Sequence, residues 1–183
     1  RIEPKAKKLE KISYDEMWEL ARRGAKVLQN RSVEMAKKLN VNLVSRSSFT
    51  PDVEGTLITN EEEIMEKPIV SGIALDKNQV RVGMYGVVDK PGVASAIFTA
   101  LADANINVDM IVQTRGLDGT TDLDFTIPTT DLEICKKVME KFKTQAENID
   151  YNEAICKVSI VGVGMKSHTG VASKAFTALA SEN

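Results

Sequence analysis

Apolar and polar positions change rhythm several times along this chain, and each change marks an element. From Val80, apolar or small residues recur at Val82, Met84, Gly86 and Val88, the period-two pattern of a strand with one buried face. Asp89, Lys90, Pro91 and Gly92 turn the chain, and Val93, Ile97, Leu101 and Ala104 then share one helical face with Phe98 beside them. Asn105 is the expected stop. Val108, Met110 and Val112 alternate with Asn107, Asp109 and Gln113. Asp118-Gly119 signals a hairpin, and Leu123, Phe125 and Ile127 alternate on the return. Pro128 ends that strand, and Thr130-Asp131-Leu132-Glu133 has the form of a capping box opening a helix with Cys135, Val138, Met139 and Phe142 on one stripe. A short strand over 149–152 completes the order β-α-β-β-α-β, which predicts an α+β, ferredoxin-like sandwich: two helices on one face of a four-stranded antiparallel sheet.

The first third has a different texture. Ser13-Tyr14-Asp15-Glu16 is a second capping-box sequence, followed by Met17, Leu20 and Ala21 at helical spacing, with Gly24 as a stop. Another helix is expected from about Ser32 to Asn40, then strands near 41–44 and 56–59. Glu61-Glu62-Glu63 opens a polar link that ends at Pro68. Three parts are therefore expected: 1–66, 67–153 and 154–183. So few elements bury little by themselves, so the first part is expected to pack against something N-terminal to it.

One phrase occurs twice. Residues 92–105 read GVASAIFTALADAN and residues 170–183 read GVASKAFTALASEN, identical at ten of fourteen positions, which marks a tandem module. The second copy is expected to be the start of a unit that is incomplete here, because the strand carrying Asn107, Asp109 and Gln113 in the first copy has no counterpart after it.

Composition narrows the functions. With 24 basic and 26 acidic side chains the net charge is -2, which gathers neither polyanions nor an anionic membrane surface, so neither nucleic acid nor a membrane is an expected partner. Tyr85 and Phe125 are single aromatics on their strands, too few for an RNA platform. Two distant cysteines, Cys135 and Cys156, and one histidine suggest free thiols and no metal site. Residues 1–11 are charged, and no apolar run is long enough to span a bilayer, so a cytoplasmic protein is expected. Gly162-Val163-Gly164-Met165-Lys166-Ser167 imitates a phosphate-binding loop, but Met165 separates Gly164 from Lys166 and position 159 is Ser where that loop needs Gly. A small zwitterion suits the remaining features. Each repeat delivers a tight turn to a helix N-terminus, where a carboxylate is favoured. Asp89, with Asn107 and Asp109, could receive an ammonium group; the ordinary alternative is that Asp89 caps its helix while Asn107 and Asp109 face water. Lys166, Ser167 and His168 in the second turn could take a different ligand.

At these residues the chain resembles a known family. GVVDKPGVASAIFTALADANINVDMIVQ, DGTTDLDFTIP and KVSIVGVGMKSHTGVASKAF resemble the paired ACT domains of aspartate kinases. The opening residues 1–41, with RSSF and GTLI further on, resemble the end of that family's amino-acid-kinase domain. The resemblance implies a parent enzyme that phosphorylates L-aspartate with ATP and Mg, the first step toward lysine, threonine and methionine, with this chain as its regulatory part. It implies ATP contacts at Arg1, Lys26 and Val27. Effector contacts would fall on Asp89, Lys90, Pro91, Gly92, Val93 and Ala94, on Asn107, Val108, Asp109 and Gln113, and in the second module on Met165, Lys166, Ser167, His168 and Ala172. Thr169 stands where many members have proline. No catalytic residue of the family falls within this chain, so by itself it is expected to be inactive and to hold no cofactor. Implied partners are lysine and threonine as effectors, further copies through the ACT domains, and the missing catalytic segment. A pure assembly module that binds no ligand is the alternative.

Overall fold

A computed structural model describes residues 5–64, 68–116 and 119–182. In chain order the elements are β1 (Lys11–Ser13), α1 (Tyr14–Arg22), α2 (Asn30–Leu39), β2 (Leu43–Ser45), β3 (Thr56–Thr59), β4 (Gly72–Val88), α3 (Val93–Asp103), β5 (Ile111–Arg115), β6 (Thr120–Pro128), α4 (Leu132–Met139), β7 (Asn148–Val161) and α5 (Val171–Ser181). They form two compact units. One comprises Arg1–Leu75 with Val158–Asn183, the other Asp76–Lys157. The start of the second repeat thus shares a unit with the first third of the chain.

In the unit Asp76–Lys157 the sheet order is β5-β6-β4-β7. β4 and β6 pair antiparallel, Val80 opposite Ile127 and Val82 opposite Phe125. Alternation works as the sequence implies on these central strands: Val80, Val82 and Met84 of β4 and Leu123, Phe125 and Ile127 of β6 point into one core with Ile97 and Leu101 of α3 and Cys135 and Met139 of α4. Phe98 meets Phe125 edge to face, ring centroids 5.6 Å apart, a preferred aromatic geometry. The other sheet face is polar, with Arg81 between Asp124 at 3.3 Å and Asp150 at 3.0 Å. This is the α+β, ferredoxin-like sandwich that the element order predicts. Its register shifts between Met84 and Val87, where Gly86 has φ 61° and a Cβ would press on Glu147. Glycine makes that bulge possible.

Some local expectations are corrected. β4 begins at Gly72 and β7 runs to Val161, both longer than their alternation indicates. The capping box at Thr130 does not form, since the Thr130 hydroxyl donates to Asp131 instead and the Asp131 side chain makes no cap. A preceding one-turn helix, Thr129–Asp131, already puts Asp131 in helical φ/ψ, whereas a capping residue needs extended backbone. All five residues of β5 are exposed, and Met110 and Val112 are 50% and 44% open; β5 is an edge strand, so its alternation does not translate into burial.

The other unit contains the sheet β1-β3-β2, parallel for β1 with β3 and antiparallel for β2 with β3. Ser13 and Glu16 make the expected capping box at the start of α1. Met17 and Leu20 of α1, Val33 and Ala36 of α2 and Ile58 of β3 form the core with Ala74 and Val161. Asn40 ends α2 in the left-handed conformation at φ 53°, a usual helix stop. β1 escapes sequence reading because its one apolar residue, Ile12, stands between Lys11 and the Ser13 that caps α1. Among the described residues no helix is long and apolar enough to cross a membrane.

Candidate functional site

The two copies of the repeated phrase begin alike in space. Gly92 precedes α3 with φ 97° and Gly170 precedes α5 with φ 86°, conformations that favour glycine. No side chain caps either helix. The leading amides of a helix lack intrahelical acceptors, so each turn presents donors, partly positive, to its surroundings.

At the first turn these donors border a cavity of about 270 Å³. Asp89, Lys90, Pro91, Gly92, Val93 and Ala94 line one side, and Gln113 of β5 with Thr121 and Leu123 of β6 line the other. The register explains the grouping, because Gln113 pairs with Leu123 and Thr121 with Val87. Backbone bonds hold the turn: the Asp89 N–H donates to the Gly119 carbonyl at 3.2 Å and the Val93 N–H to that of Lys90 at 3.3 Å. Asp89 does not cap α3. Its side chain is exposed at the rim, able to meet a cation. Asn107, Val108 and Asp109 do not line this cavity. Asn107 is exposed, Val108 packs against the core, and the Asp109 carboxylate is paired with the Lys157 ammonium. Sequence reading missed Thr121 and Leu123, which their inward alternation on β6 could have disclosed.

The second turn is a single turn of 3₁₀ helix, Val163–Lys166. The Ser167 hydroxyl and His168 Nδ1 both donate to the Gly164 carbonyl, at 3.2 and 2.9 Å. Met165 faces a cavity of about 670 Å³ along α1, lined also by Trp18, Glu19 and Arg23. His168 faces a separate one of about 430 Å³ beside Ile69, Ile73 and Val171. Ala172 is exposed and lines neither. The Lys166 side chain and Arg1 lie outside the described residues. Lys26, at φ 52°, and Val27, 58% exposed, follow α1 on the surface; they could supply one edge of a nucleotide site, no more.

Comparison with known proteins explains the paired turns. Family models described as ACT domain match residues 80–147 and 158–183. The structure of the regulatory subunit of aspartate kinase from Thermus thermophilus is 35% identical, with a TM-score of 0.58, over 62% of this chain and 76% of that one. The chain belongs to the aspartokinase family. The aspartokinase of Helicobacter pylori (strain ATCC 700392 / 26695) is 64% identical over 187 residues, covering 100% of this chain and 46% of the relative. The Clostridium acetobutylicum aspartate kinase structure is 25% identical, TM-score 0.84, over 100% of this chain and 42% of that one. The chain thus spans about half the length of the curated aspartokinases it matches and carries their ACT region.

Proposed function

We propose that this chain is the regulatory portion of a cytoplasmic aspartate kinase, an enzyme that transfers phosphate from ATP, with Mg, to L-aspartate, and that its ACT turns bind end-product amino acids for feedback inhibition. The observation that carries the reading is the first cavity: an uncapped helix start suited to a carboxylate, with Asp89 at the rim and Gln113 opposite. Two relatives support it by their descriptions, one as a regulatory subunit and the other as an important allosteric enzyme. Lysine and threonine are the effectors to expect. Their carboxylate would sit on the amides of Gly92 and Ala94, since the Val93 N–H is taken up by the Lys90 carbonyl, and their ammonium near Asp89. To inhibit, an effector must bind one arrangement of the enzyme better than another, because equal affinity shifts nothing. Lys26, Val27 and Arg1 would belong to the ATP site, the remainder of which, with the aspartate-holding groups, would come from the missing catalytic segment.

Calorimetry with lysine and threonine tests the proposal. Heat of binding is expected for at least one, weakened about tenfold by Gln113→Ala, the scale of one lost polar contact. Absence of heat with both, on folded protein, would sink it. Purified chain is also expected to form no aspartyl phosphate.

A second reading has its own observation. Ile111 and Val112 of β5, with Met110 just before it, make an exposed apolar edge, and such edges join chains. As a pure assembly module the protein would oligomerise without binding an amino acid; Ile111→Lys would then dissolve the oligomer while calorimetry stayed silent.

A further inference from the structure

Glu16 is 7% exposed, and both of its carboxylate oxygens are engaged. Oε2 accepts from the Ser13 hydroxyl at 2.7 Å and the Ser13 N–H at 3.3 Å, which completes the capping of α1. Oε1 faces elsewhere, accepting from the Ser71 hydroxyl just before β4 and from the Val163 N–H at 3.0 Å. Capping needs only the first pair. The second joins α1 to segments 55 and 147 residues away in sequence, all within the unit Arg1–Leu75 with Val158–Asn183. Val163 opens the second turn, the one that continues into Met165, Ser167 and His168. That turn is seated closely. A Cβ on Gly162 would stand 2.2 Å from the Ile69 carbonyl oxygen, and one on Gly164 would stand 2.8 Å from the Ile69 Cα, so only glycines let it approach near enough for the Val163 N–H to reach Glu16.

We propose that Glu16 is the positioning residue that couples the second ACT turn to helix α1, through the hydrogen bond from Val163 N–H to its Oε1. This inference rests on the reading of residues 165–168 as an effector turn. A ligand that prefers one position of the turn strengthens or breaks a charge-assisted hydrogen bond, which is stronger than a neutral one. α1 belongs to the part of the chain that resembles the end of the catalytic domain, so the state of the turn is imposed on that part. The bond supplies the differential contact that such coupling requires.

The test uses the full-length enzyme containing this chain, assayed for aspartyl phosphate with lysine and threonine as inhibitors. Glu16→Ala and Val163→Pro attack the same bond from opposite ends, proline removing the N–H at a first helical position where it is tolerated. Each is expected to raise the half-inhibitory concentration about tenfold, with kcat and KM for aspartate changed by less than about twofold. The double variant is expected to do no more than either alone, as for two changes that break one interaction. Glu16→Gln, whose amide oxygen still accepts from Val163, is expected to restore most of the inhibition. Should Glu16→Ala fail to fold, Val163→Pro carries the test with the capping box intact. Unchanged inhibition in the variants of an inhibitable enzyme, or kcat falling in step with inhibition, overturns the coupling. A wild-type enzyme indifferent to both amino acids overturns the effector reading and this inference with it.

Discussion

At the scale of single residues, three environments have measurable consequences. Burial pushes the Cys135 thiol up to about 11, with Asp131 adding to the shift, whereas Cys156 is exposed. Reactivity follows the thiolate, so mass spectrometry after brief iodoacetamide treatment near neutral pH is expected to show one adduct, on Cys156, and two only after unfolding. Burial by itself would raise the Glu16 carboxyl, but the hydrogen bonds from Ser71, Val163 and Ser13 outweigh it and hold the group below its ordinary value. A lowered folded value means that the ionised form stabilises the fold above the unfolded carboxylate range, about pH 4.3. That stabilisation is lost as pH falls through the folded value. Thermal midpoints taken from pH 6 down to pH 3 should decline, and Glu16→Gln should flatten the decline; equal slopes would contradict the account. Gly92 has positive φ with nothing within 4 Å of a built Cβ, so Gly92→Ala meets backbone strain alone. The expected cost is about 1–2 kcal/mol in urea melts.

Among elements, the duplicated helices provide an internal control. Leu101 and Leu179 occupy the same place in the repeated phrase, yet Leu101 is fully buried and Leu179 is 60% exposed. Leu101→Ala is expected to cost about 2–5 kcal/mol, and Leu179→Ala less than about 0.5 kcal/mol, both from denaturant midpoints. Equal costs would mean that α5 is covered in solution. The same contrast shows what sequence can disclose. The strands β4 and β6 and the helices α3 and α4 were legible because their apolar residues keep a period and are buried by it, and the two turns because Gly92 and Gly170 mark them. The limits of the edge strands were less so: β5 spans Ile111–Arg115 with every residue exposed, and β7 runs on to Val161, because an edge that packs little gives its pattern no end. The site was legible in part: Asp89 to Ala94 and Gln113 come together because turn and strand are fixed by register, while Asp109 carries a different duty, its pairing with Lys157, which no spacing reveals. Sequence shows Glu16 as a cap, whereas its second set of partners, far off in sequence, depends on tertiary structure.

For the molecule as a whole, the discontinuity of the first unit matters most. Val161 helps close the core formed by Ile12, Met17, Val33 and Ile58, and Val163 supplies a donor to Glu16. Ending the chain after Lys157 should therefore strip hydrogen-exchange protection from α1 while leaving β6 protected within its own core, because exchange reports local stability. Loss of protection in both would show that the core of Asp76–Lys157 does not stand by itself. The exposed face of α5 has a more practical consequence. Phe176 is 72% exposed near Leu179, on a chain whose net charge of -2 gives only weak repulsion between molecules. Concentrated stocks of this chain should cloud on addition of sulfate well before a Phe176→Ser variant does, because salting-out strengthens the adhesion of bare apolar surface.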